Sequence, residues 1–423
     1  MAVFEDRQLT TGVFEDLESA VRSYCRNWPV VFDRASGSWL YDEAGRPYLD
    51  FFSGAGTLNY GHNNPRLRSA LLNYLCSDRV IHSLDMFTAA KREFLRAFDE
   101  LILRPRGLEY RVQFPGPAGT NAVEAALKLA RKITGRTNVI CFTDAFHGVT
   151  LGSLSVTANP GHRGAAGVPL EHATRLPFDQ SRAGEVPDFE LLDGLLDESD
   201  PDRPAAVIVE TVQGEGGVNA ASPQWLSGLS QRCRAHDIPL ILDDVQMGCG
   251  RTGPFFSFEI AGIEPDMVCL SKSISGYGLP MALTLIRPDL DVWEPGEHNG
   301  TFRGFNLAFI TAAAALEAYW QDEALERHSL ANGARIAVEL AHIADMLAPG
   351  ELAARGRGMV HGLAFEDPAL AARVSAEAFA RGLLIERAGP QDEVVKLLPP
   401  LTASDDELDH GLAILLQAIE IAR

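Results

Sequence analysis

Asp243 and Lys272 end two short apolar runs. Leu240, Ile241 and Leu242 stop at Asp243 and Asp244; Met267 to Leu270 stop at Ser271 and Lys272. Short apolar runs bounded by proline and glycine predict buried strands of a parallel sheet. Ligands of such sheets sit beyond the carboxyl ends of the strands. Two strand ends therefore bring one carboxylate and one amine to a single edge. An amine there can form a Schiff base with an aldehyde, and an acid can pair with a pyridinium nitrogen. Together they would grip the two ends of a pyridoxal 5'-phosphate (PLP) ring.

Lysine usage sharpens this reading. The chain has only five lysines, Lys91, Lys128, Lys132, Lys272 and Lys396, among 37 basic residues. The first three fall on helical patterns, where a solvated face accounts for them. Lys272 and Lys396 lie in or beside strands and ask for a chemical reason. An arginine would neither form a Schiff base nor give up its proton.

The elements that must position these groups follow from pattern. A helix is expected over Val13 to Trp28, then a strand, turn and strand across Ser38 to Asp50. FFSGAGTLNYGHNNP (51–65) reads as a binding loop, and 66–104 as two amphipathic helices. A strand over Tyr110 to Phe114 meets PGPAGTNAVEAALKLARKITG, where Val123, Ala126, Leu127, Ala130 and Ile133 form one helical stripe. Asn121 with Glu124 is a capping signal, and Gly135 stops the helix. Gly116, Gly119 and Thr120 then sit at a helix N-terminus, a ready phosphate site. Taken alone, glycine before a helix is more often only a turn.

A strand over Asn138 to Thr143 leads to AFHGVTLGS, where Phe146 or His147 can stack on a planar ring; plain packing explains an aromatic there equally well. Residues 159–200 read as surface loops with a helix near Phe189 to Leu196. Ala205 to Val209 is another strand, followed by the loop TVQGEGG and a helix over Pro223 to His236. Met281 to Ile286 is a further strand. Alternating strands and helices from Tyr110 to Ile286 predict an α/β layer with a parallel-rich sheet. One long helix over Leu307 to Leu347 follows. Strands at Met359 to Phe365, Leu383 to Arg387 and Val394 to Leu398 come next, with helices at Pro368 to Arg381 and Asp405 to Ile421. These divide the chain into an N-terminal segment (1–80) belonging to a small domain, a large coenzyme-binding domain (81–306) and a C-terminal small α+β domain (307–423).

With 423 residues, 46% of them hydrophobic, and a net charge of −20, the chain is an ordinary globular protein for which nucleic acid and anionic membranes are not expected partners. MAVFEDRQLTTG has no signal-peptide pattern, and no run is apolar enough to span a bilayer. Six scattered cysteines without a CxxC pair fit a reducing cytoplasm. His62, His82, His147, His236 and His298 lack paired ligand spacing, so no metal site is expected.

GTNAVEAALKLAR, FHG, ETVQGEGG, LILDDVQMGCGRTG, SKSISG and GTFRG, in that order over most of the chain, resemble the class III (ω-)aminotransferases of PLP fold type I, the aspartate aminotransferase-like fold. The resemblance implies that Lys272 holds the coenzyme and then serves as the base. It implies that Asp243 keeps the pyridine nitrogen protonated, that Gln246 bonds the ring's 3-oxygen, and that Gly119 and Thr120 receive the phosphate. Phe146, where the family more often has Tyr, would stack on the ring with His147 beside it. Thr301 would reach the phosphate of a neighbouring subunit, which makes a homodimer or higher homo-oligomer the working unit. Glu215 matches a gating glutamate over the coenzyme face.

Departures accompany the match. Lys396 in VVKLLPPL stands where many members carry the arginine paired with that glutamate, and a lysine loses bidentate carboxylate geometry. Ala118 replaces a frequent Ser, and Phe305 sits where a polar residue is expected. The implied substrates are small amino and keto acids. TLNYGHNNP, VQFPGPAGTNAVEAALKLARK, LSKSISGYGLPMALTL and DVWEPGEHNGTFRG resemble one subfamily in wording, and that resemblance implies L-glutamate and aspartate 4-semialdehyde as substrates, giving L-2,4-diaminobutyrate and 2-oxoglutarate as in ectoine-type pathways. Ornithine, acetylornithine or GABA transfer, or an aminomutase or decarboxylase on the same scaffold, are the alternatives.

Overall fold

The computed structural model describes residues 11–179, 189–196, 203–347 and 352–423. The chain first lays down an antiparallel meander of β1 (Phe32–Ser36), β2 (Trp39–Asp42) and β3 (Pro47–Asp50). Helices Pro65–Leu75 and Ala89–Phe98 follow, each opened by a side-chain cap from Asn64 or Thr88.

The next strands are β4 (Arg111–Gln113), β5 (Val139–Phe142), β6 (Ala173–Leu176) and β7 (Ala206–Val209). A small hairpin, β8 (Val212–Gln213) with β9 (Asn219–Ala220), precedes β10 (Leu240–Asp243), β11 (Met267–Leu270) and β12 (Leu283–Ile286). Seven of these form one sheet in the order β4-β12-β11-β10-β7-β5-β6. All neighbours run parallel except at β12, which is antiparallel to both β11 and β4. VICF, AVIV, LILD and MVCL are buried along their whole length, as strands covered on both faces must be.

Alternation decides which helix covers which face. Ile241, Met267 and Cys269 share a core with Ala122, Val123 and Ala126 of helix Gly119–Thr134. Leu240 and Leu242 point the other way, onto Trp225, Leu226 and Leu229 of helix Pro223–Ala235. Each such leucine withdrawn from water contributes about 1.5–3 kcal/mol.

The C-terminal part adds β13 (Leu352–Arg357), β14 (Val360–Phe365), β15 (Leu383–Leu384), β16 (Glu386–Ala388) and β17 (Val394–Leu397). A second sheet runs β13-β14-β17-β16, whereas β15 joins β3 in parallel and completes the N-terminal meander.

The structure corrects several expected elements. The N-terminal helix is two short ones, Gly12–Leu17 and Tyr24–Asn27, with Arg22 and Arg26 bonding carbonyls of the connecting turn. The long helix breaks into Asn306–Tyr319 and Ala324–Leu347. Trp320, at the break, is buried and donates its indole N–H to the Tyr60 hydroxyl, and Asp322 caps the Ala324 N–H. The expected strand Leu383 to Arg387 splits because its two halves serve different sheets. Ala173–Leu176, read as loop, is an edge strand, and β13 and the β8–β9 hairpin were not expected. Parts of the 159–200 loop region lie outside the described residues. Among the described residues no helix is long and apolar enough to cross a membrane.

Helix Asp405–Ala422 closes over the meander through Gly411, where an added Cβ would lie 2.3 Å from the Phe51 ring. Gly411→Ala therefore overpacks this contact and should cost about 1–3 kcal/mol, read as a lower midpoint of thermal unfolding.

Candidate active site

Lys272 stands just past β11 in a tight turn with φ of 51°, the left-handed region that a lysine seldom occupies. Such backbone persists only where its surroundings enforce it. Here they do. Ser271 bonds its hydroxyl to the Met281 carbonyl, Ser273 donates to the Gly56 carbonyl, and Thr311 of helix Asn306–Tyr319 donates to the Ser275 carbonyl. Gly276 (φ 76°) lets that helix approach, since a Cβ there would sit 2.6 Å from Ala315 Cβ. The residue is half-buried, and burial of its amine holds the pKa below the ordinary lysine value. Glu215, the strongest opposing influence, pulls it back up, and Lys396 pushes it down again.

Asp243 ends β10, the strand next to β11, and pairs in register with Cys269. Its Oδ1 accepts the Val245 N–H at 3.1 Å, and its Oδ2 lies 2.7 Å from His147 Nδ1. The Nδ1 side of the imidazole is the side turned toward the Asp243 carboxyl. His147 is thus placed behind Asp243 as its orienting partner; its Nε2 is buried without a hydrogen-bond partner. Asp243 and Asp244 diverge. Asp244 turns inward to accept the N–H and hydroxyl of Ser257, and burial pushes its carboxyl up to about 7.

The phosphate candidate lies at the N-terminus of helix Gly119–Thr134, whose first-turn N–H groups have no carbonyl of their own helix to meet. Asn121, not Glu124, closes the cap: its side chain accepts the Ala118 N–H at 3.1 Å. Glu124 instead accepts from the Thr150 hydroxyl and the Ser153 N–H. Gly119 is required by closeness, since a Cβ would come within 2.7 Å of Val245 Cγ1. The Thr120 hydroxyl is engaged by Thr150 and Ser153, which leaves its N–H for an anion.

Glu215 lies in the turn between β8 and β9. Its Oε1 meets Lys396 Nζ at 2.7 Å and Gln246 Nε2 at 3.1 Å. Gln246 also donates to the Ala55 carbonyl, so it ties the 51–65 loop to the gate. Against the effect of burial, Lys396 above all, then Lys272 and Gln246, hold the Glu215 carboxyl down at about 2. Lys396 is wholly buried and also lies 3.0 Å from Glu386 Oε1. Phe146, His162, Glu215 and Arg387 line one cleft, in which the Phe146 ring meets His162 edge-on. Thr301 is exposed on a short helical turn, Thr301–Arg303.

Two acids were missed from sequence. Glu210, at the end of β7, accepts the Phe146 N–H at 3.0 Å, and burial beside Asp243 pushes its carboxyl well up. It follows an apolar run just as Asp243 does, and that was the available signal. Glu386 gave none, because only strand register sets it against Lys396.

These residues fit PLP. The left-handed lysine, the acid at the neighbouring strand end, the orphaned imidazole nitrogen behind it and the glycine cradle at the helix start belong to one sheet edge. Such an edge is built for amino-group chemistry on that coenzyme. The chain belongs to the class III aminotransferases, PLP-dependent enzymes of fold type I: the Aminotransferase class-III family model matches residues 21–419. It is 62% identical over 412 residues to the diaminobutyrate–2-oxoglutarate transaminase of Nocardia farcinica, covering 97% of this chain and 94% of that protein. The transaminase of the same name from Streptomyces avermitilis is 60% identical, with 96% and 97% covered. Among solved structures, the ornithine aminotransferase of Toxoplasma gondii superposes with a TM-score of 0.85 at 26% identity, covering 97% and 94%.

The depressed Lys272 amine is the free base at lower pH than an ordinary lysine. Coenzyme capture by the stripped protein should therefore keep its rate as pH falls below about 10.4, the usual lysine value. Glu215→Gln removes the carboxylate that raises Lys272, so the midpoint of the pH–rate profile should move further down. A midpoint at or above the ordinary value, or an upward move in the variant, contradicts this electrostatic balance.

Proposed function

We propose that the chain transfers an amino group from L-glutamate to C4 of aspartate 4-semialdehyde, giving L-2,4-diaminobutyrate and 2-oxoglutarate, as in ectoine-type pathways. The observation that carries this reading is the Lys272 and Asp243 pair at neighbouring strand ends, facing a gate made by Glu215 and Lys396. The two relatives named for this reaction, each at least 60% identical, support the choice of substrate.

PLP when bound supplies an electron sink for the carbanion formed at the amino-bearing carbon. Lys272 is the residue that would hold the coenzyme through its amine, and the same amine, once free, would serve as the base that moves the proton at the amino-bearing carbon. Burial lowers its basicity, which favours the free base, and the fixed turn holds it at the rim. Asp243 holds a proton on the ring nitrogen, and His147 fixes the direction of that carboxylate. Gly119 and Thr120 offer backbone N–H groups to the phosphate, and Gln246 offers its amide to the ring oxygen. Phe146 covers one ring face. Glu215 screens Lys396 when no substrate carboxylate is present.

Thr301 reaches the phosphate of a second copy, so the working unit is a homodimer. Apolar surface around it supports this: Leu84, Met86, Phe87 and Phe302 are all exposed, and a bridge from His82 to Phe305 joins their two segments. The six free cysteines support a reducing cytoplasm.

The test is a parallel screen of diaminobutyrate, ornithine and GABA as amino donors to 2-oxoglutarate, with glutamate formation as readout. Diaminobutyrate should be preferred. Lys272→Ala should lose the visible absorbance of covalently held coenzyme and at least about 100-fold in rate. A wild-type preference for ornithine or GABA would overturn the substrate, and wild-type protein that retains no coenzyme would overturn the mechanism.

A further inference from the structure

The gate contains one cation and two carboxylates, and the two carboxylates are held differently. Lys396 and Glu386 lie directly opposite each other on β17 and β16, so their contact is fixed by strand register. Both side chains are shut from solvent, at 0% and 3% exposure, whereas the Glu215 side chain keeps 26%. Glu215 stands in a turn rather than a ladder. Its backbone is anchored by one bond, from the Gly389 N–H to the Glu215 carbonyl at 2.9 Å, and its side chain by Lys396 and Gln246.

A buried ammonium with a single partner would be stranded whenever that partner moved, and an unpaired buried charge is strongly destabilising. A gate of one glutamate and one lysine could therefore open only if the lysine followed or the site flooded. Lys396 cannot follow easily, because it stands in the middle of a four-stranded sheet.

We infer that Glu386 is a positioning residue that keeps Lys396 seated as a fixed cation while Glu215 alone swings. Opening then exposes a cation already in place for a carboxylate of glutamate, and closing covers it for a substrate that presents its distal amine. This specificity role rests on the amino-transfer reading above; the shared hold on Lys396 does not. The charges support the division of labour. Lys396 holds Glu215 ionised, and burial pushes Glu386 up to about 7. Glu386 can carry a proton while Glu215 neutralises Lys396, and release it when Glu215 departs, so the cluster stays near neutral in both positions. Lys272 and the Tyr24 hydroxyl are the other titratable groups facing it.

The first test is a double-mutant cycle on thermal unfolding, with Glu215→Gln, Glu386→Gln and the combination, in coenzyme-bound and coenzyme-stripped protein. Either carboxylate alone should keep Lys396 paired, so each single variant should shift the midpoint by about 2 °C or less. The double variant strands the cation and should lose about 5 °C or more beyond the sum. Additive shifts overturn the shared hold. The second test follows single half-reactions by coenzyme absorbance. In Glu386→Gln, kcat/KM should fall at least about fivefold more for glutamate than for diaminobutyrate, since only glutamate needs the gate open. Glu386→Asp, which keeps the charge, should retain more of the glutamate value than Glu386→Gln. Equal losses for both substrates, or the reverse order of the two variants, overturn the positioning role. Wild-type protein inactive with both substrates would overturn the proposed function while leaving the unfolding cycle to decide whether Glu386 holds Lys396.

Discussion

The site depends on two adjacent parallel strands ending together. β10 and β11 are in register, so their last residues reach one edge at nearly the same height. A parallel ladder with both faces covered tolerates almost no polar side chain along its length. Polar groups can therefore emerge only where the strands stop, and Glu210, Asp243 and Lys272 all emerge there. The same constraint that makes the sheet apolar concentrates its chemistry at one rim.

That concentration creates an electrostatic problem. Asp243, Asp244, Glu210, Glu215 and Glu386 crowd into a region with little water, against Lys272 and Lys396. Bringing an unpaired charge into such surroundings costs several kcal/mol. The structure meets the problem in separate ways. Asp243 is set against an imidazole, Asp244 takes two donors from Ser257, Glu215 shares Lys396 with Gln246, and Glu210 and Glu386 are driven toward their neutral forms. Burial lowers the basicity of Lys272, which has no carboxylate in hydrogen-bond contact among the described residues, while Glu215 and Glu386 raise that of Lys396 against its burial. One lysine is thus left without a carboxylate partner in contact and the other is held by two.

What was legible in the sequence follows from these constraints. Apolar runs with abrupt polar ends betray Asp243 and Lys272 because their chemistry and their place in the sheet are encoded locally. The helix from Gly119 was equally plain, with its stripe and its glycine stop. Contacts set by pairing over long separations were not. Glu386 and Lys396 meet only because β16 and β17 fold back in one particular register, and LLIERAG carries no mark of the sheet change between β15 and β16. The break at Trp320 was hidden because the residues on both sides are good helix formers; a tertiary bond to Tyr60 decides it. His147 looked like a stacking ring, yet its partner is an acid 96 positions away. Only the meeting of the two loops in space shows that.

The sheet change at residue 385 also explains how Lys396 and Lys272 stay in one frame. The chain leaves the N-terminal meander at β15 and enters the β17 sheet at β16, delivering Glu386 to Lys396. Immediately after β17, the Leu398 N–H bonds the Phe51 carbonyl and the Leu401 N–H bonds the Asn59 carbonyl. Asn59 in turn binds Arg251 and the Cys249 carbonyl, and Ser273 beside Lys272 grips the same loop at Gly56. Arg251 is wholly buried and reaches the Met359 carbonyl, which extends the frame to the start of β14. The 51–65 loop thus couples the strand that carries the gate's cation to the turn that carries the reactive amine. A shift of Lys396 would have to break these bonds or drag Lys272 with it. Within the β8–β9 turn, Val218 packs into the core with Val394 and Leu398, whereas the Glu215 side chain is held to this frame by Gln246 and Lys396 and keeps partial exposure, so it is the gate side chain least embedded in the frame.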